Sequence, residues 1–200
     1  MRKIIIISIF FMLLACNKKS IRKNFFNKQD LSDYVFDESN GFVKNKSFKN
    51  IKFEMTFLPK KLIYLKNDAS LTNNQLDSLT KIENNTYYFR YRIYGNDGQS
   101  PIYYVSDDYQ GYLQLNDYFG YSFHKKVILK TKKFQKKASH VYFISDYGLV
   151  PYLDFLLVFD NIKDINDEII ISINDEVFGY GILNFYFDKE IVNSKIKLNS

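Results

Sequence analysis

Two stretches of the chain alternate regularly between apolar and polar residues, which is the pattern of a half-buried β-strand. In the first stretch the apolar positions are Ile51, Phe53, Met55 and Phe57. In the second, one face carries Tyr87, Phe89, Tyr91 and Ile93. The other face of that second stretch carries Tyr88, Arg90, Arg92 and Tyr94. We therefore predict two strands, each with one face in the core.

A capping box predicts a helix between these strands. Thr72 is followed three residues later by Gln75, so that each side chain can bond the backbone N–H of the other residue. Residues 107–119 are a second, short helix candidate, because the acids at 107 and 108 suit the positive end of a helix dipole. Residues 102–105, just before it, are apolar and predict a short strand.

The second half of the chain is the richest in strand patterns. Two predicted strands, at about residues 126–131 and 140–145, flank a lysine-rich loop and are expected to form one hairpin. Three more strands follow from apolar or alternating runs, at residues 152–159, 168–173 and 177–187. Gly179 and Gly181 interrupt the last strand, where we expect a bulge or a close approach of backbone.

Taken together, these patterns predict a mainly β protein. About eight short strands, with one short helix inserted early, are typical of an antiparallel β-sandwich, and a small β-barrel is the alternative. We find neither an internal repeat nor a low-complexity linker in this region. Residues 48–200 are therefore predicted to form a single β-rich domain.

An apolar run near the first residue has the features of a signal peptide. Arg2 and Lys3 precede residues 4–14, which are apolar except for one serine. A helix that spans a membrane needs about 20 residues. The run is therefore too short for a stable span, and we predict a signal-peptide helix.

The end of this run gives the signal peptide a specific form. The tetrad Leu13-Leu14-Ala15-Cys16 resembles the lipobox of bacterial lipoproteins. The resemblance implies that Cys16 receives a diacylglyceryl group, that the chain is cut before it and that the new amine is acylated. Two or three acyl chains bind a bilayer stably, whereas one binds marginally. The alternatives are an uncleaved anchor or a plain secretory signal with an incidental cysteine.

The resemblance also implies an organisation and a location. Residues 1–15 would be the signal peptide, and residues 16–47 would comprise the lipidated cysteine and a basic tether, with the membrane as partner through Cys16. Asn17, rather than an acid, follows the cysteine, which by resemblance to Gram-negative sorting rules implies the outer membrane. Basic residues come next, at Lys18 and Lys19, and they favour the periplasmic face over the cell surface.

Composition supports the β-rich interpretation and limits the partners. The chain has 19 Phe, 17 Tyr and only 3 Pro, a balance that favours strands. Its single cysteine is Cys16, so the lipidated protein would form no disulfide. The formal net charge of +6 is too modest to indicate a nucleic-acid partner, and we expect none.

Candidate catalytic and metal-binding residues are few. His124 and His140 could face each other across the lysine-rich hairpin, but a metal site needs a third or fourth ligand, which we cannot nominate. The acidic turn of residues 160–168 lacks the glycine and terminal glutamate of an EF-hand. We therefore predict no catalytic residue, no metal and no cofactor, and we expect that the protein is not an enzyme.

Charge is segregated along the second half of the chain. No acid lies between Asp117 and Asp146, where there are seven lysines, whereas ten acids and two lysines lie from Asp146 to Glu190. Such segregation can steer a partner. The two charges could instead neutralise each other within the fold, or the lysines could protect a sheet edge. The candidate interaction surface consists of Lys132, Lys133, Phe134, Lys136 and Lys137.

These features together predict a non-catalytic envelope lipoprotein that works through contact with a protein partner, for example as an accessory of an envelope or secretion complex. The alternative is a periplasmic module that binds a glycan or a lipid. That alternative would use the tyrosines of residues 103–104, 109–112 and 118–121, and it requires a groove or cavity lined by tyrosine. The absence of Trp weakens the glycan case.

Overall fold

The computed structural model describes residues 21–82, 85–106, 108–144, 149–163 and 165–198. The predicted signal peptide and Cys16 lie outside these residues. The described part of the chain is mainly β, and most of its strands form two antiparallel sheets that pack face to face as a sandwich. The predicted fold class is confirmed.

The larger sheet contains both strands that the alternating patterns predict. Its strands are β2 (Val43–Ser47), β3 (Ile51–Leu58), β4 (Tyr87–Gly95), β7 (His140–Ile144) and β8 (Tyr152–Phe159). They lie in the order β2-β3-β4-β8-β7, and every neighbouring pair is antiparallel. Phe53 pairs with Ile93 and Phe57 with Phe89, so the predicted apolar faces of β3 and β4 share the core side.

The smaller sheet comes from the second half of the chain. Its strands are β5 (Val127–Lys130), β6 (Gln135–Lys137), β9 (Ile169–Asp175) and β10 (Gly181–Phe187). They lie in the order β10-β9-β5-β6. Both sheets end in edge strands, so the fold is an open sandwich and not the barrel that was the alternative. Gly179 lies in the turn before β10 and Gly181 is the first residue of that strand, and both have positive φ values, which glycine adopts readily.

Aromatic side chains join the two sheets. Tyr91 of β4 is 1% exposed, and its ring centroid lies 6.1 Å from that of Phe185 in β10. The centroids of Phe89 and Phe187 lie 5.3 Å apart across the same interface. Tilted and edge-on pairs of this kind contribute about 0.5–1.5 kcal/mol each beyond the area that they bury. Phenylalanine and tyrosine thus contribute contacts between the two sheets, together with the aliphatic residues of the core.

The helices lie around the sandwich, and both predicted helices are confirmed. The α-helices are α1 (Lys28–Phe36), α2 (Lys60–Asn67), α3 (Asn73–Ile82), α4 (Tyr109–Asp117) and α5 (Lys189–Val192). At α3, Thr72 N–H donates to Gln75 Oε1 at 2.8 Å, as the capping box predicts. At α4, Asp108 accepts a hydrogen bond from Gly111 N–H at 2.7 Å. None of the helices in the described ranges is long and apolar enough to span a bilayer.

The folded domain begins well before residue 48. β1 (Asn24–Phe25) pairs in parallel with β11 (Lys197–Leu198), and Phe25 is fully buried. Leu31 of α1 is fully buried as well. The predicted tether of residues 16–47 is therefore too long. Its lysines suggested a solvated segment, but its apolar residues pack on the core.

Two predictions in the middle of the chain are wrong. The predicted strand at residues 102–105 is a 3-10 helix, Pro101–Tyr104, since a proline at the first position fixes φ and offers no N–H to a ladder. The predicted strands at 126–131 and 140–145 do not pair with each other, because β5 and β7 belong to different sheets. The loop between them forms β6, and the chain then crosses to the other sheet at Ala138 and Ser139.

Candidate functional site

The lysine-rich loop forms a short β-hairpin at one edge of the smaller sheet. β5 and β6 pair with Lys130 opposite Gln135, and residues 131–134 make the turn. Thr131 organises this turn, because its Oγ1 accepts the N–H groups of Lys133 and Phe134, both at 3.2 Å. Both lysines of the turn are exposed, and Phe134 is 38% exposed. The hairpin tip thus presents cations beside an aromatic ring.

One member of the predicted interaction surface points away from the others. Lys136 lies opposite Leu129, on the face of β6 that is turned to the core. Its Nζ donates to the backbone carbonyl of Asp160 and, at 3.4 Å, to that of Asn161. Lys136 therefore fastens the hairpin to the loop after β8. The side chains that remain together on the exposed hairpin, here called the basic tip, are Lys132, Lys133, Phe134 and Lys137.

The segregated charges neutralise each other only in part. Lys126 Nζ lies 2.6 Å from Glu176 Oε1, which joins the basic and acidic parts of the sequence. By contrast, the three lysines of the basic tip have no carboxylate partner in the part of the chain that the structure describes. β6 is also an edge strand, where lysines oppose pairing with another chain. Both interpretations of the basic tip are therefore compatible with its geometry.

The histidines and the acidic turn lie in ordinary structural positions. His124 is in a 3-10 helix, and His140 begins β7 with its ring centroid 6.0 Å from that of Tyr142. Among the described residues, no group of three or more His, Cys, Asp or Glu could hold a metal ion. In the acidic turn, Asp160 Oδ1 accepts a hydrogen bond from the Thr86 hydroxyl at 2.9 Å. This carboxylate is thus used to join two parts of the fold.

A charged cluster lies on the outer face of the larger sheet. Asp154 of β8 accepts Arg90 Nε–H at 2.9 Å and lies 3.2 Å from Arg92, its direct neighbour in register. The Arg92 guanidinium also lies 4.4 Å from the ring centroid of Tyr152. Burial raises the pKa of Asp154, while Arg92 and Lys66 oppose that change. Because these charged groups already form ion pairs with one another, we assign the cluster a structural role.

A groove of about 810 Å³ opens where the first and last strands meet the rest of the domain. Its walls come from the end of β3, the starts of α2 and β4, one side of α3, and residues 192–198. Its volume lies in the range of small-molecule sites, about 300–1,000 Å³. The buried apolar side chains that line it include Phe57, Leu58, Val192 and Ile196.

Positive charge dominates the polar lining of the groove. The lining contains a single acid, Asp77, and the lysines Lys60, Lys61, Lys81, Lys195 and Lys197. Asp77 Oδ1 lies 2.6 Å from Lys61 Nζ, and this bond lowers the pKa of Asp77. Lys60 Nζ lies 5.8 Å from the ring centroid of Tyr87. The single acid is therefore already neutralised by a neighbour.

The tyrosines that the sequence nominates do not form the groove. Tyr103, Tyr109 and Tyr121 are at least half exposed and lie outside its lining. The tyrosines of the groove are Tyr87 and Tyr88, at the start of β4. The sequence pattern of these two residues predicts only a strand, and no local signal connects them to residues 192–198, about 100 positions away.

Comparison of the chain with protein-family models, with curated proteins and with solved structures gave no match. The basic tip and the groove are surface features of the described residues that can contact another molecule.

Proposed function

We propose that this protein is a lipid-anchored component of the bacterial cell envelope that acts by contact with a protein partner and not by catalysis. The lipobox-like tetrad ending at Cys16 supports the anchor. The single observation that carries the contact role is the basic tip, where the exposed Lys132 and Lys133 precede the partly exposed Phe134 at a sheet edge and Lys137 is exposed further along β6.

The physical basis of the contact is the combination of charge and an aromatic ring. Cations without carboxylate partners attract an acidic surface and accelerate encounter, mostly without adding much affinity. Aromatic side chains supply binding energy once water is excluded around them. Phe134, next to Lys132 and Lys133, is placed to combine the two effects. The partner would be a protein with an acidic surface and an apolar recess.

The test is charge reversal at the basic tip of the full-length, natively lipidated protein. The variant combines Lys132→Glu, Lys133→Glu and Lys137→Glu, and it leaves Lys136 in place because that lysine holds the hairpin to the fold. Crosslinking in intact cells followed by mass spectrometry should show at least a tenfold loss of one specific partner. The matched control reverses three groove lysines, Lys81, Lys195 and Lys197, and should keep that partner.

A basic tip that only protects the sheet edge would give a different result. In that case the charge-reversed protein would keep every partner that the wild type captures, and the contact proposal would fail. Self-association of the variant, measured by sedimentation, would then report the loss of edge protection.

The anchor is tested separately by mass spectrometry of protein taken from native membranes. We expect a chain that begins at Cys16 and carries two or three acyl groups, and we expect Cys16→Ser to abolish them. A bare thiol, or a retained leader, would contradict the anchor. Protease treatment of intact cells, compared with cells whose outer membrane is permeabilised, tests the proposed periplasmic face of the outer membrane.

A second candidate function is binding of a glycan or a lipid. The observation that favours it is the groove, which is of small-molecule size and is lined in part by Tyr87 and Tyr88. Binding in the groove and contact through the basic tip use different surfaces. The two functions are therefore compatible with each other and can be tested independently.

A further inference from the structure

The buried apolar part of the groove lining, here called the groove bed, belongs to the core. Phe57 and Leu58 end β3, while Val192 and Ile196 come from α5 and the segment after it. All four are between 3% and 7% exposed. An apolar chain laid against them would gain from every methylene removed from water. The groove bed therefore suits the hydrocarbon part of a ligand.

Most polar groups of the lining other than the lysines are already committed to the fold. Asn73 Nδ2 donates to the Leu198 carbonyl at 2.7 Å, and Asn193 Nδ2 donates to the Ile165 carbonyl at 2.7 Å. The hydroxyl of Thr86 donates to Asp160 at 2.9 Å. A neutral sugar is recognised through amides, hydroxyls and carboxylates, and Asn73 Oδ1 and Ser194 Oγ, which have no hydrogen-bond partner among the described residues, are buried and not open to a ligand. This lining therefore argues against a glycan.

The groups that remain for a ligand are cations. Lys81, Lys195 and Lys197 are exposed and have no carboxylate partner within the described residues. The acid in the groove lining, Asp77, forms its ion pair with Lys61 and interacts with Lys81 and Lys197 only at longer range. These lysines come from α3 and from residues 195–197, so they stand on two sides of the same groove. An anionic group above the apolar bed would meet cations from both sides.

The groove lies beside β1, the first described strand, which follows the proposed membrane anchor at Cys16 in the sequence. Lys197 lines the groove and is also the register partner of Asn24 in the parallel β1–β11 pair. Only eight steps of chain separate Asn24 from Cys16, which limits their distance to about 30 Å when extended. If Cys16 is acylated, as proposed above, the groove cannot move far from the bilayer surface, which is a source of amphiphiles.

We propose that this groove binds one single-chain lipid with an anionic head group, its acyl chain on the apolar bed and its head between Lys81 and the lysines of residues 195–197. The inference deepens the ligand-binding candidate and rests on the groove. Only the membrane origin of the lipid rests on the acylation of Cys16. A loss of lipid binding and a loss of the anchor are therefore separate results.

The experiment uses the full lipidated protein in nonionic detergent and three probes. Dodecyl phosphate carries both chain and anion, dodecylphosphocholine has the same chain without net charge, and inorganic phosphate has the anion alone. Saturable binding, followed as a rise in Tm with probe concentration, is expected for dodecyl phosphate only. Native mass spectrometry should also find one non-covalent single-chain lipid on protein taken from cells.

Matched variants locate the binding. The groove variant combines Lys81→Glu, Lys195→Glu and Lys197→Glu. It should bind dodecyl phosphate at least tenfold more weakly than the wild type, which is about 1.4 kcal/mol. The control variant makes the same charge change at the basic tip, through Lys132→Glu, Lys133→Glu and Lys137→Glu. Its affinity for dodecyl phosphate should differ from that of the wild type by less than twofold. Thr80→Trp fills the groove without changing charge and should also weaken binding. Circular dichroism confirms that each variant keeps the fold.

Three outcomes would overturn the inference. If both charge-reversed variants weakened the binding of dodecyl phosphate equally, the binding would be diffuse electrostatic attraction to anionic micelles. If inorganic phosphate bound as tightly as dodecyl phosphate, the groove would be an anion site that does not use the acyl chain. Displacement of dodecyl phosphate by an acidic peptide at lower concentration, together with no co-purified lipid, would indicate that the groove is a peptide site.

Discussion

Removal of Asp154 tests whether the charged cluster on the outer sheet face is structural. The side chain of Asp154 is 5% exposed, and those of Arg90 and Arg92 are each 19% exposed. Replacement by alanine would leave both guanidinium groups without their carboxylate on a largely covered surface. We therefore expect Asp154→Ala to destabilise the protein.

The magnitude follows from the burial of the three groups. Breaking a buried ion pair by removing one partner costs about 3–5 kcal/mol, because the remaining charge stays desolvated. Each arginine keeps about a fifth of its surface in water and can recover some hydration. We therefore expect about 3 kcal/mol, the low end of that range. Replacing the whole cluster, by Arg90→Met, Arg92→Met and Asp154→Leu, should cost far less, since it removes the desolvated charges together.

Urea denaturation followed by circular dichroism measures both variants, and an unchanged m-value shows that the compared states are the same. Asp117→Ala removes an exposed acid and serves as the control, with an expected change within about 0.5 kcal/mol. A cost below about 1 kcal/mol for Asp154→Ala would refute the reasoning. The cluster would then behave as a solvated surface pair, and its arginines would become candidates for ligand binding.

Three further variants test the packing, the capping and the electrostatics. Phe155→Ala should cost about 3–5 kcal/mol of unfolding free energy in urea, because its fully buried ring lies 4.9 Å from that of Phe143 and 5.0 Å from that of Phe123; a cost below 2 kcal/mol would contradict the tight aromatic core. Thr72→Ala should cost about 1 kcal/mol, because it removes the Oγ1 that accepts the Gln75 N–H at 3.4 Å at the start of α3, and Thr72→Ser should restore most of it. The lowered pKa of Asp77 means that its bond with Lys61 stabilises the protein above the ordinary aspartate pKa of about 3.9 and is lost as pH falls through the folded pKa. The stability difference between wild type and Asp77→Asn should therefore shrink between pH 6 and pH 2, and a constant difference would contradict it.

The parts of the fold that the sequence predicts are those specified by local pattern. The alternation in β3 and β4 and the reciprocal bonds of Thr72 and Gln75 need only neighbours in sequence. The partner of a strand is not specified in this way. β5 and β7 both place alternate residues toward one core, so their pattern does not tell which sheet each joins. β6 has no apolar alternation at all, because it is an edge strand of three polar residues.

The candidate sites also depend partly on local sequence and partly on contacts between distant parts of the chain. The exposure of Lys132 and Lys133 follows from composition, but the inward position of Lys136 depends on its register with Leu129. The groove combines α3 and the start of β4 with residues 192–198, which only the completed fold brings together. No motif could reveal it.

The parallel pairing of β1 with β11 has a further consequence for engineering. Asn24 and Lys197 are register partners, so the two ends of the described chain are neighbours in space. A short linker could join them, and new termini could be opened between Lys132 and Lys133, in an exposed turn. Such a circularly permuted chain should keep both sheets. An anchor placed at its new first residue would then join the domain at the hairpin turn and not beside β1.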